Sequence, residues 1–398
     1  MSYIKNCQIC KKKLTKCFSL GNQPLCDDLL KINSKKKNIL YPINILFCKN
    51  CIIAFNEVQI VPKKLFPKNY HYRSSLTQDV IKGMDDLKNN IEKEFGSLKG
   101  KKVLDIGCND GSLLNLFKKK QAITIGVEPT NACFSAKKRH YIINNFFSKD
   151  VAVKIKKKFK EIDYIIFTNV FAHINNLDNL IKSLKILISP NTNIIIENHY
   201  LGSILDKNQF DTFYHEHPRT YSLKSFLEIS KLLNMNLYKF QFPKRYGGNI
   251  RVILSNKKPN KILKMKLNKI INNEKKFYKK LLKFKNFISI WKKKTKNMII
   301  KIKDSNKIIV GKAFPGRASI LINLLNLNSK IISMIFEKEK SPKIGYMVPN
   351  TDIPIVSDSN LKKLNGNEII INFAWHIKDE IKKYLLRKKI NNKVINIL

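Results

Sequence analysis

Three groups of side chains in this 398-residue chain have the types and spacing to do chemistry. Cys7-Gln8-Ile9-Cys10 and Cys48-Lys49-Asn50-Cys51 each set two thiols on a tight knuckle. Together they supply the four soft ligands of a closed tetrahedral zinc site. With all four positions filled by Cys7, Cys10, Cys48 and Cys51, the predicted metal is structural, and a compact insert must occupy residues 11–47 between the pairs. The second group is Val103-Leu104-Asp105-Ile106-Gly107-Cys108-Asn109-Asp110-Gly111, a β-prone run that meets an acid and then two glycines four apart. Neither glycine carries a Cβ, so the backbone can turn sharply and approach a ligand closely. At the end of the first strand of an α/β sheet such a loop receives a nucleotide-like cofactor. Glu128 closes the next β-prone run, where a carboxylate reaches ribose hydroxyls. The third group is Tyr214-His215-Glu216-His217. So many titratable side chains in a row are costly unless something uses them. By themselves these residues leave catalysis, a polar surface loop and a metal site open, although 215–217 lack the i, i+4 spacing of a helical zinc pair.

The elements that must position these groups are legible. Residues 123–128, 163–168 and 193–197 read as strands separated by helical stretches, which predicts a parallel, doubly wound sheet. Asn169-Val170-Phe171-Ala172-His173 follows the fourth strand and so leaves the carboxyl edge of that sheet, where α/β folds bind ligands. Asn69-Tyr70-His71-Tyr72 precedes a helical pattern that runs to about Phe95. A Lys-rich stretch over 258–304 reads as a solvated amphipathic helix leading into a final α/β segment, whose residues 307–316 form a strand, a turn and a helix start. The predicted fold class is α/β: a small N-terminal zinc-binding domain (1–65), a central Rossmann-like domain (66–256) and a C-terminal Rossmann-like α/β domain (257–398).

The formal charge is +47, yet it is carried by 69 Lys and only 7 Arg. Nucleic-acid readers favour the bidentate Arg fork, so this skew points to coding bias and not to nucleic acid; its milder consequence is a field that attracts a phosphorylated small molecule. No stretch approaches the roughly 18 apolar residues of a membrane span, and the N-terminus lacks a signal peptide's apolar core. Eight cysteines, four of them in the two pairs, predict a reducing cytoplasm and a metal site over disulfides. Nothing in the sequence marks an oligomeric interface.

The acid-x-Gly-x-x-x-Gly loop resembles motif I of class I methyltransferases, which bind S-adenosylmethionine (SAM). The resemblance becomes specific in the order of motifs: C-x-x-C, Leu20-Gly21-Asn22-Gln23-Pro24-Leu25, C-x-x-C, Tyr70-His71-Tyr72-Arg73-Ser74-Ser75, the SAM loop and the Tyr214 to His217 block. The chain is similar, nearly end to end, to the three-domain zinc-containing sugar C-methyltransferases that act on carbon 3 of 4-keto-deoxy nucleotide sugars. Tyr246-Gly247-Gly248-Asn249-Ile250-Arg251 resembles that family's H-G-G-S-L-R segment, with Tyr for His and Asn for Ser. Lys312, Phe314 and Gly316-Arg317 depart from the family's G-Y-G-A-P-A-K-G turn in the C-terminal domain.

The resemblance implies a mechanism. His217 is the expected base that removes a hydrogen beside a ketone; Glu216 orients an imidazole or a sugar hydroxyl. Tyr214 and His173 donate to the developing enolate oxygen. Asp105, Gly107, Asn109, Gly111, Glu128 and Asn169 are the expected SAM contacts, and Tyr70, Tyr72, Asn249 and Arg251 the substrate contacts, with Lys343 a further candidate for phosphate. An O- or N-methyltransferase, a nucleic-acid methyltransferase and a non-catalytic zinc module stay open as alternatives.

Overall fold

The computed structural model describes residues 1–398, which fall into two compact units. The first comprises Met1–Lys16, Leu46–Asp206 and His217–Tyr278; the second comprises Cys17–Ile45, Lys207–Glu216 and Lys279–Leu398. The chain therefore leaves the first unit three times and returns to it twice, and the second return falls between Glu216 and His217. The compact insert expected between the cysteine pairs belongs to the second unit, where Leu30–Lys31 pairs antiparallel with Tyr346–Met347.

The first unit is built on seven strands: β1 (Lys102–Ile106), β2 (Ile123–Val127), β3 (Tyr141–Ile143), β4 (Tyr164–Thr168), β5 (Asn193–His199), β6 (Asn236–Gln241) and β7 (Asn249–Ser255), in the order β6-β7-β5-β4-β1-β2-β3. Strands β1 to β5 are parallel, and β7 runs antiparallel between β5 and β6. The period of two along each strand sorts side chains to two cores. Leu104, Ile106, Ile165, Phe167, Ile194 and Ile196 face one layer of helices, while Val103, Tyr164, Ile166 and Ile195 face the other. Helix Leu177–Leu187 presents Leu177, Leu180, Ile181, Leu184 and Leu187 to the first core, a stripe at helical spacing. Asn176 starts it by accepting from the Asn179 N–H. Helix Gln78–Phe95 covers the other face with Val80, Met84, Leu87 and Ile91 and stops at Gly96, whose φ of 85° ends the helical run. Each such buried aliphatic side chain contributes about 1.5–3 kcal/mol of transfer free energy.

The second unit carries five parallel strands: β8 (Ile309–Lys312), β9 (Ile335–Glu337), β10 (Ile355–Ser357), β11 (Ile369–Asn372) and β12 (Val394–Asn396), in the order β10-β9-β8-β11-β12. The Lys-rich stretch is not one solvated helix. It breaks after Glu274 into Lys261–Glu274 and Phe277–Asp304, and Leu281, Phe284, Trp291 and Ile299 of the longer helix are buried. Its lysines occupy the face opposite an apolar stripe that a charge count alone conceals.

Candidate functional site

The order of strands reverses beside β1, between β2 and β4, which puts the site-forming loops of the first unit at one carboxyl edge. The loop after β1 needs its glycines. Gly107 and Gly111 both have φ of +77°, and a Cβ at Gly107 would lie 2.5 Å from Val170 Cγ2, one at Gly111 2.7 Å from Ala136 Cβ. Asn109 shares the left-handed conformation, with φ of +48°. Its N–H donates to Glu128 Oε2 at 3.0 Å, while Thr130 Oγ1 donates to Glu128 Oε1 at 2.6 Å. Glu128 thus sits at the end of β2, against the loop, with further lone pairs for a diol. Asp105 is buried at the end of β1 with Oδ1 unpartnered. Burial, with the Glu128 and Asp110 carboxylates nearby, pushes its carboxyl up to about 8. A buried carboxyl oxygen without a donor, beside a loop that only small residues fit, suits the amino and adenosyl groups of SAM.

The linker residues are laced onto this loop. Ser74 N donates to Asn109 Oδ1 at 3.0 Å and Ser75 N to Asp110 Oδ2 at 2.9 Å. Tyr72, 38% exposed as a residue, bonds through its hydroxyl to Tyr246 and Ser74, and burial of the hydroxyl raises that phenol. Tyr70 packs its ring on Phe66, with centroids 5.4 Å apart.

The ends of β4 and β5 carry the imidazoles. The ring of His173 lies 5.0 Å from that of His217 and 5.2 Å from that of Phe66. Desolvation pulls His173 down to about 4, so it is a neutral imidazole, and its Nε2 is buried without a partner. Strand β5 extends two residues past its expected end, to His199, and sets that ring 5.2 Å from His217. His217 is 4% exposed, and its carbonyl accepts from Asn56 Nδ2 at 3.1 Å.

Beneath the imidazoles lies an ionic group that sequence reasoning missed. Glu197, fully buried on β5, accepts from Arg251 Nε at 2.7 Å, Asn249 Nδ2 at 3.0 Å and Arg245 Nη1 at 3.1 Å. Arg251 also pairs with Asp86 at 2.9 Å, leaving Nη2 buried without a partner. Asn169, with φ of +56°, accepts from Asn249 through Oδ1 at 3.3 Å. Two residues expected at substrate, Asn249 and Arg251, are therefore held by Glu197. Gly83 makes room: a Cβ there would fall 2.0 Å from the Arg245 guanidinium. An acid within a strand gives no local sign of two arginines some 50 residues on. The carboxyl-edge position of His199 was readable.

Tyr214 and Glu216 belong to the second unit. Burial, then the Glu216 carboxylate, raise the Tyr214 phenol well above its usual range, so it stays an O–H donor. His215 is pulled down to about 4 by burial and bonds through Nε2 to the Tyr41 carbonyl at 3.2 Å. The segment is anchored at Asp211, which accepts from Arg317 Nε and Nη2, both at 2.8 Å, and from Trp375 Nε1 at 2.9 Å. Lys343 pairs with Asp27 at 2.9 Å.

The four cysteines converge as the spacing predicts: the sulfurs of Cys7, Cys10, Cys48 and Cys51 all lie within 4.8 Å of one another. The residue after each pair, Lys11 at φ 62° and Ile52 at φ 51°, turns left-handed, and the Ile9 and Cys51 N–H groups point at Cys7 and Cys48 sulfurs, both at 3.4 Å. Crowded thiols compete for one negative charge: Cys51 and Cys7 pull Cys48 down to about 2, and Cys48 pushes Cys7 up to about 12. A divalent cation at their centre removes that conflict, and the donor set fits zinc.

Comparison with known proteins agrees segment by segment. Residues 7–66 match the family described as "Putative zinc binding domain", 78–239 "Methyltransferase domain" and 244–393 "C-methyltransferase C-terminal domain". The C-methyltransferase NovU of Streptomyces niveus is 26% identical over 253 residues, 63% of this chain and 60% of that protein. The chain thus spans less than two thirds of that relative's length. A ubiquinone biosynthesis O-methyltransferase of Coxiella burnetii is 30% identical over 104 residues, 25% of this chain and 44% of that protein. Among solved structures, SAM-bound magnesium protoporphyrin IX methyltransferase of Synechocystis PCC 6803 aligns over 45% of this chain and 80% of its own, at 13% identity and a TM-score of 0.34. No helix is long and apolar enough to cross a membrane. Three consecutive matches between residues 7 and 393 thus set a methyltransferase domain between a zinc-binding segment, which holds the four cysteines, and a C-methyltransferase C-terminal domain.

Proposed function

We propose that the protein is a SAM-dependent C-methyltransferase acting on a 4-keto-deoxy nucleotide sugar, organised as domains 1–65, 66–256 and 257–398. The observation that carries the reading is the buried His217 imidazole, flanked by a neutral His173, in the unit whose β1 loop suits SAM. When bound, SAM supplies an electrophilic methyl group. Asp105, Gly107, Asn109, Gly111, Glu128 and Asn169 would hold it, Glu128 through the ribose and Asp105 through its unpartnered oxygen.

His217 removes the hydrogen next to the keto group, because a neutral imidazole is a base at working pH. His173 and Tyr214 each present a hydrogen-bond donor to the oxygen that becomes an enolate, together contributing a few kcal/mol to lowering the barrier. Glu216 orients a sugar hydroxyl or an imidazole. Tyr70, Tyr72, Asn249 and Arg251 bind the sugar nucleotide, Arg251 through its remaining Nη2 donor.

Incubation with a 4-keto-6-deoxy nucleotide sugar in heavy water, read by mass spectrometry, tests the assignment before any methyl transfer. One ring carbon should take up deuterium with wild type and not with His217→Ala. Absence of exchange with every keto sugar, alongside methylation of an oxygen or nitrogen, would give the site to the O- or N-methyl alternative.

A further inference from the structure

Replacing a C–H hydrogen by a sulfonium methyl releases one proton per turnover. The C–H bond breaks and its electron pair stays on the carbon; that pair then forms the C–CH3 bond as the S–CH3 pair returns to sulfur. The proton is left on the base. A base that takes it must lose it before the next cycle, and His217, at 4% exposure, has little direct access to solvent.

The structure supplies a neighbour suited to receive it. His199 is half-buried as a residue, with Nδ1 turned inside, so Nε2 is the ring nitrogen left to pass a proton outward. Its centroid is 5.2 Å from that of His217, with the planes tilted by 52°, and a separation of that size lets ring nitrogens communicate directly or through one water. The ring is held in place on two sides. Its backbone is paired with Asn249 at the end of β5, and Tyr246 packs edge-on against it at 5.7 Å. Titratable and charged groups near this pair include His173, against His217, Tyr246, against His199, and the Glu197, Arg245 and Arg251 group that follows along β5 and β7. His173 is desolvated to about 4 and does not compete for the proton in the neutral range.

We propose that His199 is the relay that carries the proton from His217 to solvent. An imidazole can accept on one nitrogen and release from the other, so it passes a proton on without a net change in its own charge. The proposal rests on His217 being the base. His199 touches no reacting atom and acts only through His217.

The test compares wild type, His199→Ala and His217→Ala with a 4-keto-6-deoxy nucleotide sugar in heavy water, at low buffer and then with added imidazole. In His199→Ala, deuterium uptake and steady-state turnover should fall about tenfold at low buffer, because the abstracted proton returns to the carbon it left. Added imidazole should restore both, and uptake should fall more than single-turnover methyl transfer. Loss without recovery by imidazole would make His199 merely structural, and wild-type rates in His199→Ala would remove the relay while leaving the base intact. Continued exchange in His217→Ala would overturn the base assignment itself, and the relay with it.

Discussion

The two Rossmann-like sheets place the same device at the same point and use it differently. In the first unit the turn after β1 gives an N–H from Asn109 to Glu128, at the end of the neighbouring strand; in the second the turn after β8 gives an N–H from Phe314 to Glu337 at 2.9 Å. Around Glu128 the turn is kept small by Gly107 and Gly111. Around Glu337 it is filled by the chain itself. Phe314 is 1% exposed, with Lys343 Nζ 5.2 Å above its ring, and Lys312 pairs with Asp358 at 2.8 Å, where Tyr384 also donates at 2.6 Å. Topology offers a ligand site at both switch points. Side-chain volume and internal pairing keep the first turn small and fill the second.

The sharpest way to separate the units is to remove the metal. Structural zinc binds with about 10–16 kcal/mol in small zinc domains, so chelation, or Cys48→Ser, should abolish hydrogen-exchange protection of the amides around Cys7, Cys10, Cys48 and Cys51. The sheet of β8 to β12 should keep its protection; equal loss in both sheets would show that the zinc site stabilises more than its own surroundings. A smaller effect is expected from matched substitutions of the two strand-end acids. Glu128→Gln should weaken SAM binding by calorimetry at least tenfold, since a charge-assisted bond is worth about 1.5–3 kcal/mol. Glu337→Gln should lower thermal stability by about 1 kcal/mol and leave SAM affinity alone.

The gentlest contrast is in pH. Asp105 has a folded pKa raised to about 8, so the fold holds its proton after the unfolded chain has lost it, and its effect on stability worsens as pH climbs from about 4 to 8. Asp358 runs the other way: burial opposes ionisation, yet Lys312 and Tyr384 hold it below the usual range, and its contribution fades as pH falls through that depressed pKa. Asp105→Asn should flatten the stability profile between pH 4 and 8, and Asp358→Asn should flatten it on the acid side. Identical slopes in both variants and wild type would break the contrast.

What the sequence made legible was local. The cysteine knuckles, the glycine turn and the strand-end acid Glu128 each rest on residues whose neighbours in sequence are also their neighbours in space. Helix Gln78–Phe95 and the strands near residues 123, 164 and 193 followed from periodicity. The Glu197 group was hidden because Arg245 and Arg251 reach Glu197 across 48 and 54 residue positions and Asp86 reaches Arg251 across 165, which no repeat records. The division of the 214–217 block between units was equally hidden, since adjacent residues give no sign that the chain changes partners between them.

In a chain of 69 lysines, four of the seven arginines mark where a lysine would fail. Arg219, Arg251 and Arg317 are buried and Arg245 nearly so, and each spends a planar fork on at least two acceptor atoms: Arg219 on Tyr221 and Asn175, Arg251 on Glu197 and Asp86, Arg317 on both oxygens of Asp211, and Arg245 on Glu197 and the Val80 carbonyl. A compact ammonium can neutralise one such acceptor but cannot span the set. Redesign of this protein can therefore treat its exposed lysines as interchangeable surface, and its interior arginines, with the paired Lys312 and Lys343, as fixed.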